Sequence, residues 1–461
     1  MQLHNTLTKK KEEFVPLHEG EVKMYLCGPT VYDRAHLGHG RSAVAFDLIR
    51  RYFIYKGFKV TFVSNYTDID DKMINRAAEE GISVPELTEK IIPHYEEDYG
   101  ALNILPSDIS PRATEYIEEM IALVQDLLDK DIAYALEDGI YFDVSRDKDY
   151  GKLSGQRLED LKAGARITER EDKRNHQDFA LWKFEKPGEP SWNAEFGKGR
   201  PGWHIECSAM STALLGNTFD IHAGGLDLIF PHHECEIAQS ESSTGEQYVK
   251  YWLHNGFVQI DNEKMSKSLG NFFTLRDIFQ KYPASTVRLF LISTHYRSPI
   301  NFSDAQLEQA AKTLQRLNDF VFNLKTYENQ TENNLEIKKL LENAKNTFET
   351  AMDNDFEVPE ALAVIFSLIK DINRLIAEKG MSTQDAMKTL HLIRAFNEVL
   401  GIIQEPEAEE LINVEIEELI RNRETARAEK NYTLADSLRD QLTAKGIELI
   451  DTPDGVKWRR K

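Results

Sequence analysis

The stretch from residue 22 to residue 65 constrains the fold more than any other part of this chain. Val22-Lys23-Met24-Tyr25-Leu26-Cys27 is a short apolar run closed by Gly28-Pro29, which predicts a buried strand ending in a turn. A helical pattern follows over residues 41–56, with Gly57 in the stop position. Lys59-Val60-Thr61-Phe62-Val63-Ser64-Asn65 predicts the next strand. Strand, turn, helix and parallel strand form one βαβ unit, so the expected fold class is α/β with a doubly wound, Rossmann-type parallel sheet. His36-Leu37-Gly38-His39 stands in the turn ahead of the helix. Two imidazoles and a glycine without a Cβ allow a polyphosphate to come close to the backbone there.

A second phosphate-handling signature, Lys264-Met265-Ser266-Lys267-Ser268, comes much later in the chain. Its two ammonium groups and two hydroxyls suit the charge that builds up on a leaving pyrophosphate. Either motif alone recurs by chance, and a lysine-serine run is commonly a solvated loop. Both together, in this order, are far more specific. The pair resembles that of the class I aminoacyl-tRNA synthetases, which bind ATP without a P-loop, and no Gly-x-x-x-x-Gly-Lys-Ser/Thr occurs in this chain.

With 461 residues the chain is expected to hold about three domains. The sheet is assigned to residues 1–109 and 202–260, split by a connective insertion over 110–201 with a helix at 113–130 and short strands at 139–144. It resumes with a helix at 203–215, a strand at 218–223, a helix at 232–246 and a completing strand, Phe257-Val258-Gln259-Ile260. The lysine loop lies in a junction region, 261–302. Residues 303–403 carry helical periodicity with breaks near 329–334, 354–359 and 380–382, which predicts a helical bundle. Gln404-Glu405-Pro406-Glu407 reads as a linker ahead of a small C-terminal module over 412–461.

No run of eighteen apolar residues exists, so no membrane span is expected. The basic N-terminal stretch lacks an apolar core, so no secretory signal is expected either. Three cysteines do not make a disulfide framework, and a cytoplasmic protein, expected to be a monomer, fits them. The net charge of −21 argues against a general nucleic-acid coat. It leaves room for a local basic footprint, because screening over roughly 8 Å makes patches matter more than totals.

Cys27, Cys207, His232 and Glu236 lie between the two phosphate signatures. Four apart in a helical stretch, His232 and Glu236 project from one face. Two thiolates, an imidazole and a carboxylate suit Zn2+. Cysteines are also commonly buried as small hydrophobes, and His-x-x-x-Glu pairs are common on helices, so spacing alone leaves both readings open.

Several further segments resemble motifs of the cysteinyl-tRNA synthetase family. They are Cys27-Gly28-Pro29-Thr30-Val31-Tyr32, Tyr66-Thr67-Asp68-Ile69-Asp70-Asp71-Lys72, Gly202-Trp203-His204-Ile205-Glu206-Cys207-Ser208 and Phe230-Pro231-His232-His233-Glu234-Cys235-Glu236. Trp252-Leu253-His254-Asn255-Gly256 and Leu449-Ile450-Asp451-Thr452-Pro453-Asp454-Gly455 complete the set, in the family's order over nearly the whole chain. The resemblance implies that Cys27, Cys207, His232 and Glu236 hold one Zn2+ and that the substrate thiolate binds it. A packed pocket separates cysteine from serine by only about 1–3 kcal/mol, whereas a thiolate is a far better zinc ligand than an alcohol. Four protein ligands imply that a fifth coordination position opens, or that Glu236 loosens, when the amino acid arrives. Cys235 departs from the family, which often carries asparagine there. It lies about 100° round the helix from Glu236, so an ordinary thiol is expected, with a ligand set that includes it left open. His233 is expected to pack or support.

The same resemblance implies that L-cysteine and ATP, with Mg2+, react to cysteinyl-adenylate and that the product is passed to tRNA(Cys). Trp203 and Thr67 are implied to line the cysteine pocket. His36, Gly38 and His39 are implied to contact ATP phosphates, and Lys264 and Lys267 to close over the pyrophosphate. Gly224, Gly225 and Asp227 follow a strand, where open α/β sheets bind nucleotides or amino acids, and His254 and Gly256 are expected to border the adenine. From Glu415 to Lys461 ten Lys/Arg balance ten Asp/Glu, a local neutrality in an acidic chain. Arg421, Arg423 and Arg427 are spaced to track a backbone, and Tyr432 and Trp458 could stack on unpaired bases. Two other readings are a ligase joining activated cysteine to an amino-sugar acceptor and a catalytically silent binding paralogue. The long segment after the lysine loop opposes the first, and the intact His36, His39, Lys264 and Lys267 oppose the second.

Overall fold

The computed structural model describes residues 1–156, 172–260, 263–264, 273–403, 414–428, 431–452 and 455–460. Lys267 and most of the lysine loop lie outside these residues, as does the side chain of Lys264. Two compact units are present, Met1–Ile403 and Gln404–Lys461.

An antiparallel hairpin, β1 (Gln2–Asn5) and β2 (Lys10–Glu13), opens the first unit. The βαβ unit follows as β3 (Glu21–Leu26), helix α1 (Leu37–Tyr55) and β4 (Lys59–Ser64), with β3 and β4 parallel. Helix α1 starts four residues earlier than the expected residue 41, because His36 caps it and residues 37–39 form its first turn. Gly28 is required where β3 leaves the sheet. A Cβ there would lie 1.6 Å from the carbonyl oxygen of Asn65, in the segment that leaves β4.

Two helices, Asp71–Glu80 and Val84–Ala101, precede the insertion. The insertion contains the Ile117–Asp129 helix and an antiparallel sheet of β5 (Ala133–Leu136), β6 (Gly139–Phe142), β7 (Phe179–Phe184) and β8 (Gly199–Pro201). Asp178 closes the turn into β7, accepting hydrogen bonds from the Tyr134 hydroxyl at 2.6 Å and the Val144 N–H at 3.0 Å.

The Trp203–Leu215 helix returns the chain to the parallel sheet through β9 (Phe219–Gly225), the Glu234–Thr244 helix and β10 (Val249–Asn255). The strand order is β10-β9-β3-β4. Here the expectation is corrected: β10 is the fourth strand, whereas β11 (Val258–Ile260) pairs with β12 (Glu263–Lys264) and β13 (Ile300–Phe302) in a separate small sheet. Strand β10 is buried almost throughout, so it lacks the alternation that marks a half-exposed strand. Strand β3 has β4 on one side and β9 on the other. The crevice at the carboxyl ends of β3 and β9 is therefore a topological switch point.

Helix α1 packs between this sheet and the helices beyond it. Asp47 on α1 accepts hydrogen bonds from Arg288 at 2.6 Å, Arg51 at 2.8 Å and the Leu105 N–H at 2.8 Å. Four long helices form the bundle: Asp304–Lys325, Leu335–Asp353, Val358–Ala377 and Thr383–Leu400. The second unit has helices Val414–Ala428 and Tyr432–Ala444 and the hairpin β14 (Ile447–Thr452) and β15 (Gly455–Arg460). Its own small core is Ile416, Ile420, Leu442 and Ile447. No helix among the described residues is long and apolar enough to cross a membrane.

Candidate active site and metal centre

A cavity of about 330 Å³ opens at the switch point. Of the residues expected in the site, Cys27, His36, Gly38, His39, Trp203, Gly225, Asp227 and Gly256 line it.

At one end the β3 terminus delivers Cys27, and the helix that opens at Trp203 delivers Cys207. A wide turn over Ile229–His233 delivers His232, and the helix it leads into delivers Glu236. The four ligand atoms lie within 4.8 Å of one another. Cys27 Sγ is 3.6 Å from Cys207 Sγ and 3.4 Å from Glu236 Oε1, and His232 Nε2 is 3.0 Å from the same oxygen. A tetrahedral zinc would place two sulfurs about 3.8 Å apart and a nitrogen and an oxygen about 3.3 Å apart, so the donor set fits that ion.

The electrostatics agree with this fit. Burial raises the Cys27 thiol well above its ordinary range, with Cys207 and Glu236 adding to the rise. The Cys207 thiol is also raised: its contact with Cys27 lowers it, but burial together with the nearby Glu236 and Glu206 charges outweighs that. A bound cation would be needed to hold both as thiolates. For Glu236, burial raises the carboxyl, but His222 and His232 outweigh it, so its pKa lies below the usual value. Burial lowers His232, which keeps its imidazole neutral and able to ligate. Its Nδ1 lies 3.0 Å from His204 Nδ1, an arrangement that leaves Nε2 for a metal when Nδ1 carries the proton. Trp203 stacks on the His232 ring with centroids 4.3 Å apart.

Sequence reasoning missed His222. Its Nε2 is 2.7 Å from Glu236 Oε2, and with His233, Cys27 and Glu236 it forms a second group of metal-competent donors. A histidine inside the apolar strand Phe219-Asp220-Ile221-His222-Ala223 was the available signal. His233, expected to pack or support, has its Nε2 3.3 Å from Cys27 Sγ and its Nδ1 2.8 Å from His254. Cys235 stands apart, 3.7 Å from the Tyr150 hydroxyl of the insertion, and belongs to neither donor group.

At the other end of the cavity His36 and His39 stack, with centroids 3.6 Å apart. The Nδ1 of His36 accepts the Gly38 and His39 N–H groups at 3.0 and 3.3 Å, and the Nδ1 of His39 accepts the His36 N–H at 3.3 Å. With both Nδ1 atoms accepting, each imidazole keeps Nε2–H as its donor. The first N–H groups of α1 are taken by the His36 cap and the Phe273 carbonyl, so the helix adds the positive end of its dipole rather than free donors. Beyond the lysine loop the chain returns to this point: the Leu37 N–H donates to the Phe273 carbonyl at 3.3 Å and the Leu275 N–H to the Ala35 carbonyl at 2.9 Å.

Three expected contacts are displaced. Thr67 does not line the cavity: it is buried, and its hydroxyl donates to Glu206 at 2.9 Å. His254 is buried behind the wall, bonded to His233 and, at 2.8 Å, to Thr6. Gly224 is covered by His233, whose Cε1 would lie 2.8 Å from a Cβ there. The inward side of a strand end is used for packing at these positions. Tyr32, Lys72 and Asn255 line the cavity instead and were not anticipated.

In the second unit Arg421 and Arg427 are exposed, but Arg423 is only 5% exposed and so is not displayed for a phosphate. Two residues on from Arg421, it faces about 200° away round the helix. Tyr432 is 63% exposed and shares its helix face with Asp436 and Asp440. Trp458 packs against the small core.

Comparison with known proteins adds to this geometry. The family described as tRNA synthetases class I (C) catalytic domain matches residues 13–312, the DALR domain matches 347–404, and the cysteinyl-tRNA ligase anticodon binding domain matches 412–459. Among solved structures, a Mycobacterium tuberculosis methionyl-tRNA synthetase in complex with methionyl-adenylate is similar at 16% identity and a TM-score of 0.61. The match covers 83% of this chain and 90% of that one. A LeuRS of Agrobacterium radiobacter K84, in a ternary complex with tRNA and LeuAMS, matches at 12% identity and a TM-score of 0.63 over 85% of each chain. At these identities the likeness is one of fold.

Proposed function

The chain belongs to the cysteinyl-tRNA synthetase family, and we propose that it selects L-cysteine through Zn2+ held by Cys27, Cys207, His232 and Glu236. It is a cysteine–tRNA ligase and aminoacylates tRNA(Cys). The observation that carries the proposal is the convergence of those four donors around Cys27, which itself lines the cavity that His36, Gly38 and His39 also line.

Zinc bound there supplies a soft Lewis acid that prefers a thiolate to a neutral alcohol. Trp203 forms the wall beside it, stacked on the His232 ring. The cysteine carboxylate attacks the α-phosphorus of ATP in line, its new P–O bond forming as the bond to pyrophosphate breaks. The Nε2–H groups of His36 and His39 and the N-terminus of α1 stabilise the phosphate charge, and Mg2+ accompanies ATP. Gly225, Asp227 and Gly256 form the wall assigned to the nucleotide. Lys264 and Lys267 neutralise the departing pyrophosphate. The terminal ribose of tRNA then attacks the adenylate carbonyl through its 2′-hydroxyl, and AMP leaves. Arg421 and Arg427 are the exposed basic groups assigned to tRNA, with the protein acting as a cytoplasmic monomer.

Cysteine-dependent ATP–pyrophosphate exchange tests the reading, with serine as competitor and with zinc content measured in parallel. Cys207→Ser should lower zinc content and exchange together. Full zinc with full activity in that variant would reject the ligand set.

A further inference from the structure

Arg41 follows His39 by two residues on α1, yet it points away from the cavity and is buried, 1% exposed. Its guanidinium meets no carboxylate among its described hydrogen-bond partners. It donates instead to the backbone carbonyls of Leu291, Thr294, His295 at 2.8 Å, Tyr296 at 3.1 Å and Ser298 at 3.3 Å. These carbonyls belong to the C-terminal end of the Ala284–Ile292 helix and the loop after it. Helix C-termini leave carbonyls unpaired and carry the negative end of the dipole, so a fixed cation there is favourable. Burial alone lowers the pKa of this guanidinium to about 10, a range in which it stays charged at neutral pH.

The other side of the same loop is held from the bundle. Asp355 is fully buried in the turn between the second and third bundle helices, at a φ of 64°, and Phe356 after it has a φ of 58°. Two successive non-glycine residues in the left-handed region persist only where contacts over-determine them. The Asp355 carboxylate accepts from Arg297 Nε at 2.8 Å, the Tyr296 hydroxyl at 3.1 Å and the His4 N–H at 2.9 Å, while its carbonyl lies 2.8 Å from His295 Nε2. Arg41 thus grips the loop by its carbonyls and Asp355 by its side chains.

What the loop supports is the cavity wall. The Tyr296 carbonyl that accepts from Arg41 also accepts the Gly256 N–H at 2.8 Å. A Cβ on Gly256 would lie 2.4 Å from the Ser298 carbonyl group, so wall and loop are in backbone contact. Gly256 lines the same cavity as the first turn of α1. The two walls are therefore tied together through one loop, and that loop is anchored to the bundle.

We propose that Arg41 and Asp355 are positioning residues for the nucleotide, acting through residues 295–298 to set the distance between Gly256 and the His36–His39 turn. This rests on the assignment of that end of the cavity to ATP. Lysine at 41 cannot span the same set of carbonyls, because one ammonium replaces a planar fork of five N–H donors. In ATP–pyrophosphate exchange, Arg41→Lys should raise the KM for ATP on the order of tenfold, the scale of one lost charged hydrogen bond, with the KM for cysteine and the zinc content unchanged. Arg41→Met should act further in the same direction. Asp355→Asn, which keeps the shape and loses the charge, should also raise the KM for ATP. Amide hydrogen exchange over residues 256–260 and 294–298 should speed up in each variant. If Arg41→Met does not fold, Arg41→Lys and Asp355→Asn carry the test. A KM for ATP within about twofold of the parent in both, whatever happens to thermal stability, overturns the proposal. A parent enzyme without ATP-dependent exchange would instead reject the ATP assignment itself.

Discussion

Glu236 is gripped from behind by His222: Nε2 of the histidine stands 2.7 Å from Oε2, while Oε1 of the same carboxylate faces Cys27 and His232. One oxygen is thus reserved for the donor cluster and the other fixes its direction. Both residues are wholly buried, and Tyr248 adds a further hydroxyl contact to Oε2 at 3.3 Å. A carboxylate held this way presents one lone pair at a set angle, which is what a small ion needs from a ligand.

The expected consequence concerns metal affinity. Replacing His222 by asparagine removes the support of Oε2 without touching any of the four proposed ligands. Partners of this kind typically contribute about 10–100-fold to metal affinity. Competition with a chromogenic chelator would measure it. Unchanged zinc affinity in His222→Asn would mean that this histidine only fills the core.

A second prediction concerns the joint between α1 and the helix carrying Arg288. The Arg288 side chain is buried and donates to Asp47 at 2.6 Å and to the Leu400 and Leu102 carbonyls at 2.7 and 2.9 Å. Truncating Asp47 to alanine leaves that charge without its carboxylate. Breaking a buried pair in this one-sided way costs about 3–5 kcal/mol. Urea unfolding of Asp47→Ala should show a loss of that order, and a change below about 1 kcal/mol, the range of an exposed pair, would contradict the role given to Asp47.

These relationships were unequally legible in the sequence. Strands β3 and β4 and helix α1 follow from apolar runs and helical period, because burial of one face writes itself into residue type. For Cys27, Cys207, His232 and Glu236, residue type and spacing left a zinc set and an ordinary core both open; the family resemblance singled the four out, and the structure brings them together. Strand β10 was missed because a strand covered on both faces shows no alternation. Thr67 and His254 sit in motifs that flank the cavity, but spacing along a strand end does not tell which way a side chain turns. The contacts of Arg41 were invisible for a simpler reason. They are made to backbone carbonyls, which every residue carries.

Acid should loosen the clasp between the insertion and the helix that starts at Asp71. The Asp71 carboxylate is 2.6 Å from Lys183 and 2.5 Å from Arg200 of the insertion's sheet. Burial raises its pKa, but the hydrogen bonds and charges of Lys183 and Arg200 outweigh this, so the folded value lies below the ordinary one. The stabilisation is therefore present above the unfolded carboxylate pKa of about 3.9 and is lost as the pH falls through the folded value. Hydrogen exchange over residues 179–201, followed from neutral pH downward and corrected for intrinsic rates, should show opening at the acid end. Asp71→Asn should already be open at neutral pH. Equal protection in the two proteins across the range would remove Asp71 from the clasp.

The last prediction separates adenylation from tRNA reading. The proposed zinc donors and the His36–His39 turn all lie in the unit Met1–Ile403, which has its own extensive core, and the second unit has a separate one around Ile416 and Leu442. Truncation after Glu405 should therefore leave the first unit folded and cysteine-dependent ATP–pyrophosphate exchange close to that of the full chain. Transfer to tRNA should weaken, because the segment matching the anticodon binding domain, residues 412–459, is gone. With Arg421 and Arg427 removed, fewer phosphates are neutralised, so tRNA affinity should fall with a shallower dependence on salt. Filter binding at several salt concentrations, with cysteinylation of tRNA carrying the cysteine anticodon or a changed one, measures both effects. A truncated enzyme that still charges tRNA with full efficiency and still rejects the changed anticodon would show that recognition lies elsewhere in the chain.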